Sequence, residues 1–266
     1  MTEVRAKKAL GQHFLVDLNI ARKICDALSG GTAEAPATVL EVGCGMGVLT
    51  QFLLQRGDLT TYGAEIDTES VDYLHDRFPA FAPRLIAGDF LKMDLRAAFP
   101  DVSALRIIGN FPYNISSQIF FKILEHRDFV PECVGMIQKE VAVRLAEPPG
   151  SKEYGILSVL LQAWYDIEYL FTVSESVFNP PPKVKSAVIR LRRNGVAQLD
   201  CDERLFVRVV KASFGQRRKM IRNSLRAAFG DFGGAEHPFF TSRAEQLSVG
   251  QFVELTNWVS EHVIKN

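Results

Sequence analysis

The segment Thr38-Val39-Leu40-Glu41-Val42 runs directly into Gly43-Cys44-Gly45-Met46-Gly47, and this junction constrains the fold more than any other part of the chain. A short β-branched and aliphatic run reads as a buried strand. Glycines at alternate positions after it let the backbone turn tightly and approach a ligand without a Cβ in the way. Helical spacing follows through Leu49, Phe52 and Leu53, ending near Gly57. The rhythm then repeats, with strand-like runs at 60–66, 84–88, 105–109 and 134–137 separated by helical patterns. Such alternation predicts a parallel sheet covered by helices on both faces. Two later apolar runs, 167–173 and 186–191, flank Pro180-Pro181-Pro182. That linker is too short for a helical crossover, so the two runs are expected to close the sheet as an antiparallel pair. The expected fold class is therefore α/β: a doubly wound, Rossmann-like sheet, mostly parallel with its last strand antiparallel.

Asp17 is placed to cap a helix that carries Ile20, Ile24 and Leu28 on one face, and Ser29-Gly30-Gly31 stops it. After Asn194-Gly195 the pattern turns helical. Ile221, Leu225 and Phe229 recur at helical spacing, and Ser248 with Gln251 fits a capping box opening a last helix with Phe252, Leu255, Val259 and Val263. These features divide the chain into residues 1–194 and a small helical domain, 195–266.

Hydrophobic residues make up 47% of the chain and charged ones 23%, ordinary for a globular protein. No apolar run approaches the roughly 18–20 residues of a membrane span, and the start, MTEVRAKKALGQHF, lacks the apolar core of a secretory signal. A cytoplasmic protein with no membrane partner is expected. Cys25, Cys44, Cys133 and Cys201 lie far apart with no C-x-x-C pair, so reduced thiols and no metal site are expected. The 31 basic and 31 acidic residues cancel, yet the basic ones cluster. Five fall between Lys183 and Arg193 and eight between Arg204 and Arg226, with no acid inside either run. A basic footprint of this kind can sit on a neutral protein.

A dinucleotide site would prefer G-x-G-x-x-G, whereas Gly43, Gly45 and Gly47 follow G-x-G-x-G. No pyrophosphate has to be cradled, which suits a nucleoside with an amino-acid tail. Glu65 ends the next strand, 22 positions after Gly43, where an acid accepts from two ribose hydroxyls. Asp89 ends the third strand, placed to accept from an adenine amino group, with Phe90 beside the ring. Asn110-Phe111-Pro112-Tyr113 follows the fourth strand. The exocyclic amine of adenine is a poor nucleophile because its lone pair is delocalised into the ring. Two acceptors on its N–H bonds, the Asn110 amide oxygen and a carbonyl near Phe111-Pro112, favour a pyramidal nitrogen with that pair free. Proline fixes φ and helps aim the carbonyl. Tyr113 offers a flat face for an extruded base, worth roughly 1–3 kcal/mol. In-line orientation supplies the rest, roughly 7–11 kcal/mol of barrier reduction, and no general base is required.

Several segments together resemble the ribosomal RNA adenine dimethyltransferases. They are Lys8–Leu15, Glu41–Gly47, Glu65-Ile66-Asp67, Gly88-Asp89, Asn110–Tyr113, Phe178–Ser186 and Phe214–Leu225. The matches run in order along nearly the whole chain and most resemble the small-subunit branch. The resemblance implies S-adenosylmethionine as cofactor and dimethylation of N6 on two adjacent adenosines near the 3′ end of small-subunit rRNA. It implies a substrate presented within a pre-ribosomal small subunit, with cofactor contacts at His13, Leu15, Gly43, Glu65, Asp89 and Asn110. Cys44 stands where many relatives carry proline, and Phe111 where leucine or proline is frequent. Neither removes a polar group from the chemistry.

On a helix after Ser213, Arg218, Arg222 and Arg226 are expected to form one stripe beside the apolar seam. With Arg217, Lys219, Lys183 and Lys185 they are the candidate phosphate contacts, positioning the RNA while the target base is extruded. The alternatives are methylation of one large-subunit adenosine, as in the resistance branch, or a transcription or ribosome-assembly factor in which binding outweighs catalysis. A monomer is expected.

Overall fold

A computed structural model describes residue 4 and residues 6–262; Arg5 of the basic arm and Val263 of the last helix lie outside them. The strands are β1 (Phe14–Leu15), β2 (Ala37–Val42), β3 (Leu59–Glu65), β4 (Leu85–Ala87), β5 (Leu105–Asn110), β6 (Glu132–Gln138), β7 (Tyr165–Val173), β8 (Phe178–Asn179) and β9 (Ser186–Arg193). The helices are α1 (Leu18–Asp26), α2 (Thr50–Leu53), α3 (Thr68–Arg77), α4 (Leu95–Ala98), α5 (Ser116–Glu125), α6 (Lys139–Ala146), α7 (Ile156–Gln162), α8 (Glu203–Gly215), α9 (Ile221–Phe229) and α10 (Val249–His262).

Seven strands form one sheet in the order β4-β3-β2-β5-β6-β9-β7. β2 pairs parallel with both β3 and β5, Thr38 facing Thr60 on one side and Leu105 on the other. The chain leaves β2 in one direction and returns on its other side at β5, which makes the gap between their carboxyl ends a topological switch point. β9 inserts between β6 and β7 and runs antiparallel to β6, with Gly135 opposite Ile189. The two late apolar runs therefore extend the sheet as expected. A feature the sequence did not announce is a second, two-stranded sheet: β1 pairs antiparallel with β8, Phe14 opposite Asn179. It ties the N-terminal arm to the proline-rich segment.

Local chemistry accounts for the elements. Asp17 caps α1, its Oδ1 accepting from the amides of Asn19 (2.8 Å) and Ile20 (3.1 Å), a contribution of about 1 kcal/mol. Ala21, Ile24 and Cys25 are then buried beneath the sheet's Val134, Met136 and Val188. Helix α2 is shorter than its apolar spacing suggests, because the turn that carries the glycines occupies the residues before Thr50.

The chain divides into two compact units, Met1–Ala142 with Ile167–Arg193, and Val143–Asp166 with Asn194–Asn266. The second thus resumes at Asn194, beside the expected boundary, but also takes in residues 143–166. Their periodicity marks a helix without saying which core it joins. That core is aromatic: Trp164 meets Phe206 edge-on at 6.1 Å, and Phe214 lies between Tyr154 (6.3 Å) and Phe252 (6.0 Å). The capping box forms, Ser248 N donating to Gln251 Oε1 (2.9 Å) and Gln251 N to Ser248 Oγ (3.3 Å).

The single basic stripe does not form. Helix α8 ends at Gly215 and α9 begins at Ile221, so Arg217, Arg218 and Lys219 occupy the turn between them. Met220 is held extended there, bridging to Arg243. Cys25, Cys44 and Cys133 are buried and Cys201 half-buried, all free thiols, and burial pushes the pKa of each upward.

Candidate active site

The carboxyl ends of β2, β3, β4 and β5 open onto one cavity. Gly43, Glu65, Asp89 and Asn110 all line it, each contributed by the end of a different strand or the turn beyond. Gly43, Gly45 and Gly47 all adopt positive φ (74°, 51° and 75°), which explains glycine at alternate positions. Gly43 has open space where a Cβ would project, on the cavity wall. At Gly45 a Cβ would stand 3.1 Å from the ring of Phe14, so the loop is shaped by the arm as well as by the cavity.

Two buried carboxyls support this loop. Glu65, 3% exposed, accepts from the amides of Gly45 (Oε2, 2.8 Å) and Asp67 (Oε1, 2.8 Å). Burial raises its pKa, and the two amides hold that rise in check. Glu41, 1% exposed, accepts from the Thr50 hydroxyl at 2.6 Å; burial pushes its pKa up to about 8, against the hydrogen bond from Thr50. In the turn after β4, Asp89 Oδ1 accepts from Leu91 N at 2.9 Å. Lys122 Nζ donates to the carbonyls of Leu91 (3.1 Å) and Met93 (2.6 Å), fixing the turn that presents Asp89 and Phe90.

The arm crosses the cavity, with Ala9 to Phe14 along its wall. It is fastened just beyond Glu65 in the chain: Lys7 forms a close ion pair with Asp67 and lies 3.1 Å from Glu69, and Gln12 Nε2 donates to Asp67 at 3.4 Å. Neither Lys7 nor Gln12 carried a role in the sequence, because nothing in local spacing places them beside Asp67.

Asn110 Nδ2 donates to the backbone carbonyl of His13 at 2.9 Å, which leaves Oδ1 as an acceptor. Ile115 N takes the Pro112 carbonyl at 3.2 Å, while Phe111 N is spent on Met136 O at 3.0 Å. Of the two carbonyls in this turn, that of Pro112 is thus engaged by the backbone. The Phe111 ring does not face the cavity chemistry: it is 1% exposed and fills the space left by Gly109 and Gly135. Tyr113 is half-buried, its ring 5.6 Å from that of His13 and its hydroxyl 2.5 Å from Ser186 Oγ. The structure thus gathers His13, Gly43, Gly45, Glu65, Asp89, Phe90 and Asn110–Tyr113 at one cavity. Leu15 is not among the lining residues; it is 3% exposed and belongs to the core under β1.

The donor set suits S-adenosylmethionine. An acid at the end of β3 can receive ribose hydroxyls, Asp89 and Phe90 offer an acceptor and an apolar face to a purine, and the bare Gly43 backbone leaves room for the amino-acid tail. Fold and site together define an S-adenosylmethionine-dependent methyltransferase whose acceptor is an amine.

Comparison with known proteins narrows the class. The model of the ribosomal RNA adenine dimethylase family matches residues 3–261. A protein of Parabacteroides distasonis called ribosomal RNA small subunit methyltransferase A is 59% identical, covering all of this chain and 98% of its own. One of the same name from Cytophaga hutchinsonii is 55% identical over 98% of this chain and 99% of its own. Among solved structures, a dimethyladenosine transferase from Plasmodium falciparum superposes with a TM-score of 0.76 at 23% identity, covering 94% of this chain and 98% of that one. The 23S rRNA methyltransferase ErmE superposes at 0.66 with 25% identity, covering 92% and 99%. The chain belongs to the ribosomal RNA adenine dimethylase family.

The candidate RNA contacts fare unequally. Arg217 donates to the Tyr154 carbonyl at 3.0 Å and to that of Lys152, and lies 4.0 Å from Glu245. Arg222 pairs with Glu236 at 2.9 Å and Arg226 with Asp231 at 3.7 Å. In the other cluster Arg190 pairs with Glu168 at 2.6 Å, and Arg192 reaches Glu132 at 3.5 Å. Lys183, Lys185, Arg218 and Lys219 are exposed and enter none of the ion pairs found among the described residues.

Proposed function

We propose that this enzyme dimethylates the exocyclic N6 of two adjacent adenosines near the 3′ end of small-subunit rRNA, acting on a pre-ribosomal small subunit in the cytoplasm as a monomer. The observation that carries the reading is the orientation of Asn110. With its Nδ2 committed to the His13 carbonyl, its Oδ1 and the Phe111 carbonyl are the two acceptors that adenine N6 needs.

Glu65, Asp89 and Gly43 would hold S-adenosylmethionine, which when bound would supply an electrophilic methyl group on a sulfonium. The target base leaves its stack, Tyr113 receives it face-on, and the two acceptors take its N–H bonds. Held in this way, the nitrogen keeps its lone pair out of the ring and presents it for methyl transfer. The methylated amine then sheds one proton to water. A second round repeats this on the remaining N–H, which needs only one of the two acceptors. Exposed Lys183, Lys185, Arg218 and Lys219 bind phosphates, and Arg217, Arg222 and Arg226 shape the surface through their own ion pairs. Phosphate contacts orient the RNA without reading its sequence.

The identity to small-subunit relatives favours this substrate over a large-subunit adenosine. The test offers labelled S-adenosylmethionine with purified small subunits that lack the modification, naked rRNA and large subunits. The expected result is label on the small subunit; label on large subunits alone would assign the enzyme to the other branch.

A further inference from the structure

Ser186 is the first residue of β9 and fully buried, a place where a strand ordinarily carries an apolar side chain. Its hydroxyl lies 2.5 Å from the Tyr113 hydroxyl, at the one polar point on an otherwise flat stacking platform. Tyr113 stands in the loop after β5, and among the described residues its one ring contact is with His13. A ring on a loop turns about χ1 and χ2 unless its far end is held. The backbone around Ser186 is well placed to hold it: Ser186 sits opposite Gln138 of β6, and the Lys185 carbonyl accepts from Lys139 N at 2.9 Å.

The opposite end of the same segment reaches the other acceptor residue. His13 Nδ1 lies 2.8 Å from the Pro180 carbonyl, and the His13 carbonyl receives Asn110 Nδ2 at 2.9 Å. Residues 180–186, which carry exposed Lys183 and Lys185, are thus bound at one end to Asn110 through His13 and at the other to Tyr113 through Ser186.

We propose that Ser186 is a positioning residue of the methyl-acceptor site, holding the Tyr113 ring by its hydroxyl and linking that ring to the lysine-bearing segment that precedes β9. The inference rests on the proposed function for the role of Tyr113 and adds a residue that acts through it. Losing a single well-placed hydrogen bond lowers kcat by about tenfold.

The test compares S186A, S186T, Y113F and the double variant S186A/Y113F, using the full chain, labelled S-adenosylmethionine and unmodified small subunits. S186A and Y113F should each lower kcat about tenfold with unchanged cofactor affinity. S186T should recover most of the rate, and the double variant should be no slower than Y113F alone. Full activity in S186A, or a double variant slowed by the product of the two single effects, would overturn the proposal, since a packing role for Ser186 adds to loss of the Tyr113 hydroxyl. A second readout needs no RNA. With tyrosine labelled at Cζ, the resonance missing from Y113F should titrate at higher pH in S186A, because the Ser186 hydroxyl lowers the Tyr113 pKa against the rise that burial causes. An unchanged titration would refute the bond. If the unaltered enzyme transfers no methyl group, the proposed function fails, and this titration alone decides whether Ser186 holds Tyr113.

Discussion

At the scale of single residues, Glu41 shows how a buried acid can support a loop while remaining neutral. It sits at the end of β2, fully enclosed, with Thr50 as hydrogen-bond partner. Its pKa rises from 4.5 to about 8, so the folded state holds a proton that the unfolded chain releases above pH 4.5. Stability from this group therefore falls as pH rises through that window and levels off above about 8. Glu41→Gln keeps the shape and removes the titration. Urea unfolding should show the wild type losing on the order of 2–4 kcal/mol between pH 5.5 and 8 relative to the variant. Parallel pH profiles for the two would mean that Glu41 is ionised in the fold.

Between elements, close approach decides more than propensity. Gly109 lies on β5, and a Cβ there would stand 2.5 Å from the Val42 carbonyl and 2.7 Å from the Phe111 ring. Gly109→Ala should destabilise by about 1–3 kcal/mol and, by shifting Phe111, lower kcat more than it raises the Kd for cofactor. Stability and kinetics measured on one preparation separate the two effects. The arm behaves differently, because it is fastened by the half-buried Lys7 to Asp67 and Glu69. Lys7→Ala should raise the Kd for S-adenosylmethionine about two- to fivefold at low salt, a difference that disappears near 1 M salt. Calorimetric titration at two ionic strengths checks it.

The elements that the sequence made legible were those set by local chemistry. The Asp17 cap, the glycine turn and the Ser248–Gln251 box depend on neighbours a few residues away, and all appear as read. Glu65, Asp89 and Asn110 were legible because strand ends of a doubly wound sheet converge by topology. The β1–β8 pair, the Lys7–Asp67 fastening and the Ser186 contact join residues far apart in the chain, and no periodicity encodes them. The basic stripe on the helix after Ser213 failed for the opposite reason. A plausible helical spacing ran across residues 216–220, where the backbone turns and becomes extended.

For the molecule as a whole, zero net charge leaves RNA binding to local surfaces, and the ion pairs sort which cations are available. Replacing Lys183 and Lys185 together by alanine should reduce the slope of log K against log salt for rRNA by about one to two, in proportion to the phosphates released. Arg217→Ala should lower stability more than it changes that slope, because its guanidinium holds the carbonyls of Lys152 and Tyr154. Filter binding across a salt series, with an unfolding curve for each variant, distinguishes them.

In the proposed mechanism Asn110 and the Phe111 carbonyl prepare adenine N6 for methyl transfer. The most direct test incubates wild type and Asn110→Ala with S-adenosylmethionine and unmodified small subunits, digests the rRNA and identifies the nucleosides by mass. Cofactor binding is titrated alongside. The wild type should yield N6,N6-dimethyladenosine at two adjacent positions. Asn110→Ala should be slower by about 100-fold or more with cofactor affinity within a few fold, the size expected for losing one preorganised hydrogen-bonding group. Methylation at another atom, or an undiminished rate from Asn110→Ala, would contradict that mechanism.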